Sequence, residues 1–288
     1  MKTRMNAKVM LSIAMAIFGT LAIFTRNISV SSGELALYRA IMASILLTGY
    51  LAITKQKVDF RAIKKEIPLL LFSGMAMGIN WILLFQAYRY TTVSVATLSY
   101  YFAPVIVTVV CPFLFKEKLT KKQIICFVMS TIGLILIIGV ENLGGGGSDL
   151  VGIMFGLGAA AFYATVILLN KFIKNVAGLH RTVLQFYAAV VILVPYVVLT
   201  GGSTLGGLNG LGWGCLLIVG LIHTGFTYCL YFSALKDLSG QEASILSYID
   251  PLVAVLVSVL ILGESMTVMQ VIGGILILGF TLWNEKNA

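Results

Sequence analysis

The chain has 288 residues, 59% of them hydrophobic and 11% charged, with a mean hydropathy of +1.00 and a formal net charge of +9. That balance excludes a soluble globular domain. The apolar residues fall in runs of 17 to 24, and about 20 residues at a 1.5 Å rise cross a ~30 Å hydrocarbon core. The chain therefore reads as an all-α integral membrane protein. A membrane β-barrel would need segments of about ten alternating residues, and the run Leu134 Ile135 Leu136 Ile137 Ile138 does not alternate. The basic residues sit in short clusters between apolar runs, which marks topology rather than a nucleic-acid surface.

In chain order the pattern predicts ten transmembrane helices, at 8–25, 35–53, 67–88, 93–115, 124–140, 150–173, 182–200, 211–234, 242–262 and 267–283. The first follows a basic start (Lys2, Arg4, Lys8) and resembles a signal peptide, but it lacks a small-x-small cleavage site and reads as a retained helix. With the N-terminus inside, 17 of the 20 Lys and Arg residues lie in inner segments. The outer loops hold only Arg26 and Arg89, and Arg39 lies inside helix 2. This bias predicts cytoplasmic termini.

Shifting residues 85–137 by 147 positions lays them on 232–284 with repeated matches: Ala87 on Ala234, Ala96 on Ala243, Tyr101 on Tyr248, Pro104 on Pro251, Glu117 on Glu264, Thr120 on Thr267, Gln123 on Gln270. Five helices per half is an odd number, so the second half enters the membrane inverted. The predicted units are 1–143 and 149–288, two inverted five-helix repeats, joined by a Gly-rich linker at 144–148. Its GGGGS composition resembles a synthetic spacer, and no function is assigned to it. Inverted repeats are the build of alternating-access transporters, with the substrate site near the midplane between the halves.

Leu37 Tyr38 Arg39 early in helix 2, Tyr101 Phe102 Ala103 Pro104 with Phe115 Lys116 Glu117, and Tyr248 Ile249 Asp250 Pro251 with Leu262 Gly263 Glu264 together resemble the EamA-type members of the drug/metabolite transporter superfamily. The resemblance covers nearly the whole chain. It implies an inner-membrane carrier of small polar metabolites, with a central cavity lined by helices 1, 3, 4, 6, 8 and 9. His223, in the middle of helix 8, departs from the common family pattern and suggests a substrate or proton role particular to this branch.

Ionisable groups inside a bilayer cost a few kcal/mol each on insertion scales, so each is a functional candidate. By helix rise, Asp250 lies roughly 12 Å from the inner end of its helix and His223 roughly 18 Å from the outer end of its own. Asn80, Tyr101 and Tyr248 fall at the same level. The 147-residue shift maps Ala76, Asn80 and Leu84 onto His223, Thr227 and Tyr231, two stripes at helical spacing, with Trp81 and its mate Tyr228 beside them. The predicted substrate-binding set is thus Asn80, Trp81, Tyr101, His223, Thr227, Tyr228, Tyr231, Tyr248 and Arg39. The aromatic members could equally pack between helices.

Asp250 reads either as a proton-coupling acid, with His223 as a second proton site, or as an acceptor for backbone amides freed beside Pro251. Arg39 reads either as a snorkelling contact to lipid or Glu34, or as a partner for a substrate carboxylate. Pro104 and Pro251, at equivalent places in the two halves, are candidate hinges. Gly74 with Gly78, and Gly152 with Gly156, have spacing suited to close helix packing.

The expected function is secondary active transport of a small polar metabolite, an amino acid or related compound, outward across the inner membrane. An organic-cation carrier of the same fold is the alternative, held by cation–π contacts and Asp250. A channel or non-transporting scaffold is the rival class. An intramembrane enzyme fits poorly, because His180 and His223 form no HExxH array and no second membrane aspartate accompanies Asp250. No GxxxxGK loop is present. Cys111, Cys126, Cys215 and Cys229 all lie in apolar runs without CxxC spacing. No cofactor, metal or nucleic acid is expected; the partners are substrate, lipids and protons, and the carrier reads as a monomer or weak homodimer.

Overall fold

The computed structural model describes residues 6–56, 63–115, 120–138, 148–176, 178–235, 246–247 and 249–285. Among them every regular element is helical. Predicted helix 1 is two pieces, α1 (Ala7–Gly19) and α2 (Leu21–Thr25), separated at Thr20, whose hydroxyl turns back to the Ile17 carbonyl at 2.8 Å. α3 (Ser32–Ile53) begins at a capping box in which Ser31 Oγ accepts the Glu34 amide and the Glu34 carboxylate accepts the Ser31 amide. α4 (Ile67–Tyr90) starts with Pro68 in its first turn, where the missing N–H costs nothing.

Predicted helix 4 is likewise divided, into α5 (Val93–Tyr100) and α6 (Ala103–Phe115), with the break at Tyr101 and Phe102. Pro104 is the second residue of α6, so it opens a new helix rather than bending a continuous one. α7 (Lys121–Ile138), α8 (Ser148–Phe172) and α9 (Gly178–Leu199) follow. Then α10 (Gly210–Leu217) runs into a π-helical segment, Ile218–Phe226, and continues as α11 (Thr227–Leu235). α12 (Ile249–Leu260), with Pro251 as its third residue, and α13 (Val268–Glu285) complete the described elements.

Among the described residues, six helical stretches are long and apolar enough to cross a membrane: Ala7–Thr25, Ser32–Ile53, Ile67–Tyr90, Asp149–Asn170, Gly178–Leu199 and Gly210–Tyr231. The distribution of side chains is that of a membrane protein. Ile45, Phe72, Val198 and Leu199 point outward, while Ser73, Asn80, Ser99, Arg39, His223 and Thr224 are buried. Burying polar groups and exposing large apolar ones is unfavourable in water and suits hydrocarbon. The chain is a multi-pass membrane protein.

Small residues set the helix spacing. A Cβ at Gly74 would collide with the Gln185 carbonyl and Ala188, and one at Gly78 would press on Ile192 and Leu193, so α4 and α9 touch nearly backbone to backbone. Gly152 and Gly156 meet Thr91, Ser99 and Ala96 in the same manner. Both glycine pairs expected to permit close packing do so within the chain. Gly19 performs this service for α1 against α12, where a Cβ would lie 2.7 Å from the Asp250 carbonyl oxygen.

Polar staples tie the helix ends. At one end the Glu34 carboxylate accepts the amide and hydroxyl of Thr204, beyond α9. At the same end Glu264 pairs with Arg26, takes the Ser258 hydroxyl, and accepts the Val93 amide at 2.8 Å, joining the α12–α13 connection to α2 and the start of α5. At the opposite end Glu66 accepts the amides of Lys174 and Asn175 and the side-chain amide of Asn175. Those bonds, the Lys174 amide foremost, hold the Glu66 carboxyl below the usual glutamate range.

Candidate functional site

The interior polar groups gather into three clusters, each set among aromatic rings. In the first, Arg39 on α3 is 3% exposed, so it does not snorkel to lipid. It does not meet Glu34 either, whose carboxylate is spent on Ser31 and Thr204. Its guanidinium lies 4.6 Å from the Trp81 ring centroid and 5.2 Å from that of Phe85, and Nε donates to Thr224 Oγ1 at 3.0 Å. Helix register explains the meeting: Trp81 and Phe85 are four apart on α4 and share a face.

From Trp81 the aromatic contacts continue edge-to-face to Phe186 on α9 (5.5 Å) and from Phe186 to Tyr228 on α11 (5.2 Å). Tyr228 also meets Phe18 at 5.2 Å and Tyr231 at 6.4 Å. Tyr231 reaches farther out, against the small apolar cluster of Leu11, Met15 and Ala234.

The second cluster is centred on His223, 2% exposed, in the π-helical segment. Its Nε2 lies 3.0 Å from Thr20 Oγ1, its Nδ1 3.4 Å from the Ile218 carbonyl, and its ring is tilted against Phe24 at 4.9 Å. The wide π turn shows in side-chain bonds that reach five residues back: Thr224 to Val219 (2.8 Å) and Thr227 to Ile222 (2.7 Å). In a regular helix such hydroxyls reach only three or four back. One geometric consequence concerns protons. If the Thr20 hydroxyl stays on Ile17, His223 must donate from Nε2; if Nδ1 donates to Ile218, the Thr20 hydroxyl must turn toward Nε2.

In the third, Tyr101, at the break between α5 and α6, donates its hydroxyl to Asp250 Oδ2 at 2.6 Å across 149 residues of sequence. Tyr100 meets Tyr101 edge-on at 5.7 Å and Tyr163 on α8 at 5.3 Å. Asp250 is thus held by a neutral donor rather than by a basic residue, and the rings of Tyr100 and Tyr163 continue outward from Tyr101.

Of the predicted residues, Arg39 and Trp81 meet directly, Tyr228 and Tyr231 join the same chain of rings, and Tyr101 meets Asp250. Asn80 is buried, but its amide donates to the Ala159 carbonyl on α8 at 2.6 Å rather than to this group. The Thr227 hydroxyl is occupied by its own helix. Tyr248 lies outside the described residues, as do Glu117 and the 144–147 stretch of the linker. Thr20, Phe24, Phe186, Thr224, Tyr100 and Tyr163 were not singled out from the sequence. Their signals are faint, since a Phe or Thr in an apolar span looks like any packing residue; only the adjacency of Tyr100 to Tyr101 was there to be read.

The chain is thus a helical multi-pass membrane protein whose few interior polar side chains lie among aromatic rings. The EamA-like transporter family model matches residues 5–139 and again 150–284, and the chain belongs to that family. It is 30% identical over 281 residues to a Bacillus subtilis (strain 168) protein described as the uncharacterized transporter YxxF, covering 96% of this chain and 88% of that one. A Clostridium kluyveri uncharacterized transporter is 28% identical over 250 residues, covering 83% and 80%. A solved crystal structure superposes with a TM-score of 0.67 at 15% identity over 98% of this chain and 97% of its own, a likeness of fold.

Proposed function

We propose that the protein is a secondary active transporter that moves a small polar metabolite, an amino acid or related compound, outward across the cytoplasmic membrane by alternating access. In this reading ten helices form two inverted five-helix repeats, residues 1–143 and 149–288, with both termini cytoplasmic. The twofold match to the family model and the 147-residue self-similarity support the repeats. The observation that carries the reading is the Tyr101–Asp250 pair. It brings the break in one half against the carboxylate that lies within an apolar run of the other, and a carboxylate that can release or take a proton at such a junction can couple a proton to a change of access.

Asp250→Asn keeps the hydrogen bond from Tyr101 but cannot titrate. In proteoliposomes this variant is expected to lose proton-gradient-driven flux by at least about 100-fold, the low end of what a missing proton-transfer group costs. Substrate–substrate exchange should persist. Driven flux at the wild-type rate would remove Asp250 from coupling. Pro104, at the head of α6, and Pro251 are the proposed hinges about which their helices pivot.

A second reading, carriage of an organic cation, rests on the Tyr101, Tyr100 and Tyr163 rings, which offer cation–π faces, together with the Asp250 carboxylate, which offers a counter-charge.

A further inference from the structure

The four described arginines differ in one respect. Arg26 gives an Nη to Glu264, Arg89 gives one to the Val30 carbonyl, and Arg181 gives both, to Ile173 and Asn170 oxygens, as well as its Nε to Val176. Arg39, the most deeply placed of them, gives only Nε, to Thr224. Its Nη1 and Nη2 meet no acceptor among the described residues. No salt bridge joins it to Asp250, whose carboxylate accepts the Tyr101 hydroxyl.

A guanidinium cannot shed its proton, so it stays charged in the membrane interior, and a buried charge without a partner is unfavourable. One face is covered by Trp81 and Phe85, and the Nε edge is taken. What remains is the edge bearing Nη1 and Nη2, two donors in a plane. That edge fits the two oxygens of a carboxylate. Trp81 and Thr224 hold the plane from two different helices, so the fork is oriented before any ligand arrives.

We propose that Arg39 is the anchor for the substrate's carboxylate, which makes the substrate class carboxylate-bearing and excludes simple organic amines. This inference rests on the carrier reading above and decides between its two substrate classes. Tyr88 and Tyr228 lie within electrostatic reach of both Arg39 and Asp250. Both are thus neighbours of the anion-binding group and of the acidic group. A ligand with a carboxylate at one end and an ammonium at the other satisfies both.

The test is a thermal-shift titration of the purified full chain against the twenty common L-amino acids, their amides, and the corresponding decarboxylated amines. The acids are expected to raise the melting temperature, and the matched amides and amines to need roughly 100-fold higher concentrations or more, as when a site loses the group it was built to bind. Arg39→Lys keeps the charge but loses the fork and should weaken the acids by about tenfold or more. Thr224→Val frees Nε without removing the charge; it should weaken them less, with Thr224→Ser restoring them, which keeps the proposal testable if Arg39 variants fail to fold. Amides or amines that stabilise at the same concentrations as the acids would overturn it, as would wild-type acid affinity in Arg39→Lys. Acids that bind tightly yet show no saturable counterflow in vesicles would overturn the carrier reading and leave the anchor standing.

Discussion

α4 and the α10–π–α11 stretch are the two segments that the 147-residue shift lays on each other, and they solve one packing problem in different ways. α4 is an unbroken α-helix of 24 residues. It seats against α9 through Gly74 and Gly78, and its polar residue Asn80 is tied to α8. Its counterpart carries His223 where α4 has Ala76 and Thr227 where α4 has Asn80, and it widens to π over nine residues. There the threonines serve their own backbone, and His223 turns to the break between α1 and α2. A straight helix locked by glycine contacts is a frame. A π segment, with poorer hydrogen-bond geometry and a histidine touching a broken helix, is a place where the backbone can adjust.

If α4 is the frame, filling its closest contact should do the most damage. Gly74→Leu puts a side chain where the Gln185 carbonyl stands, and is expected to cost about 3 kcal/mol or more, since the neighbour is backbone and cannot rotate away. A fall in melting temperature and in folded yield in detergent would show this, and an unchanged melting temperature would show that α4 and α9 separate freely.

His223→Ala makes the second segment resemble the first at that position. Loss of the Thr20 bond and the Phe24 contact should cost about 2 kcal/mol. Limited proteolysis or hydrogen exchange should find the loosening in α1 and α2 and leave α4 protected. Equal loosening of both segments would erase the distinction drawn between them.

The smallest effect concerns Glu66, which fastens the start of α4 to residues 174–175. Its carboxyl is held below the ordinary glutamate range by those amide donors, so its contribution is fully present above the unfolded-state value and is lost as pH falls through the lower folded one. Melting temperature measured from pH 7 down to pH 3 should therefore decline less steeply in Glu66→Gln than in the wild type. Identical slopes would mean that the staple is not under load.

Much of the fold could be read in advance. Nine of the ten predicted spans coincide with described helices within a few residues at each end, as 67–88 does with Ile67–Tyr90 and 182–200 with Gly178–Leu199. The tenth, 242–262, is described at 246–247 and from Ile249 onward. Two departures are local: Thr20 and the Tyr101–Phe102 pair divide helices that hydropathy draws as continuous, because hydropathy averages over a window and a broken turn leaves the average unchanged. The site was legible only as a list of residues. Asp250, His223 and Arg39 stood out because each is ionisable in an apolar run, and that cost can be read one helix at a time.

What each of them touches could not be read in that way. Arg39 could be placed in a span, but its stacking on Trp81 and Phe85 depends on how α3 is rotated against α4. The Tyr101–Asp250 bond requires two helices 149 residues apart to meet at one depth, and the glutamate staples depend on which loops share an end. The amino-acid sequence alone determined that the chain lives in a membrane and where its apolar helices run, because transfer from water to hydrocarbon is nearly additive along the chain. Only the tertiary structure decided which polar groups pair and which, like the Nη atoms of Arg39, meet no acceptor among the described residues, because hydrogen bonds are directional and short-ranged and their partners come from helices far apart in sequence.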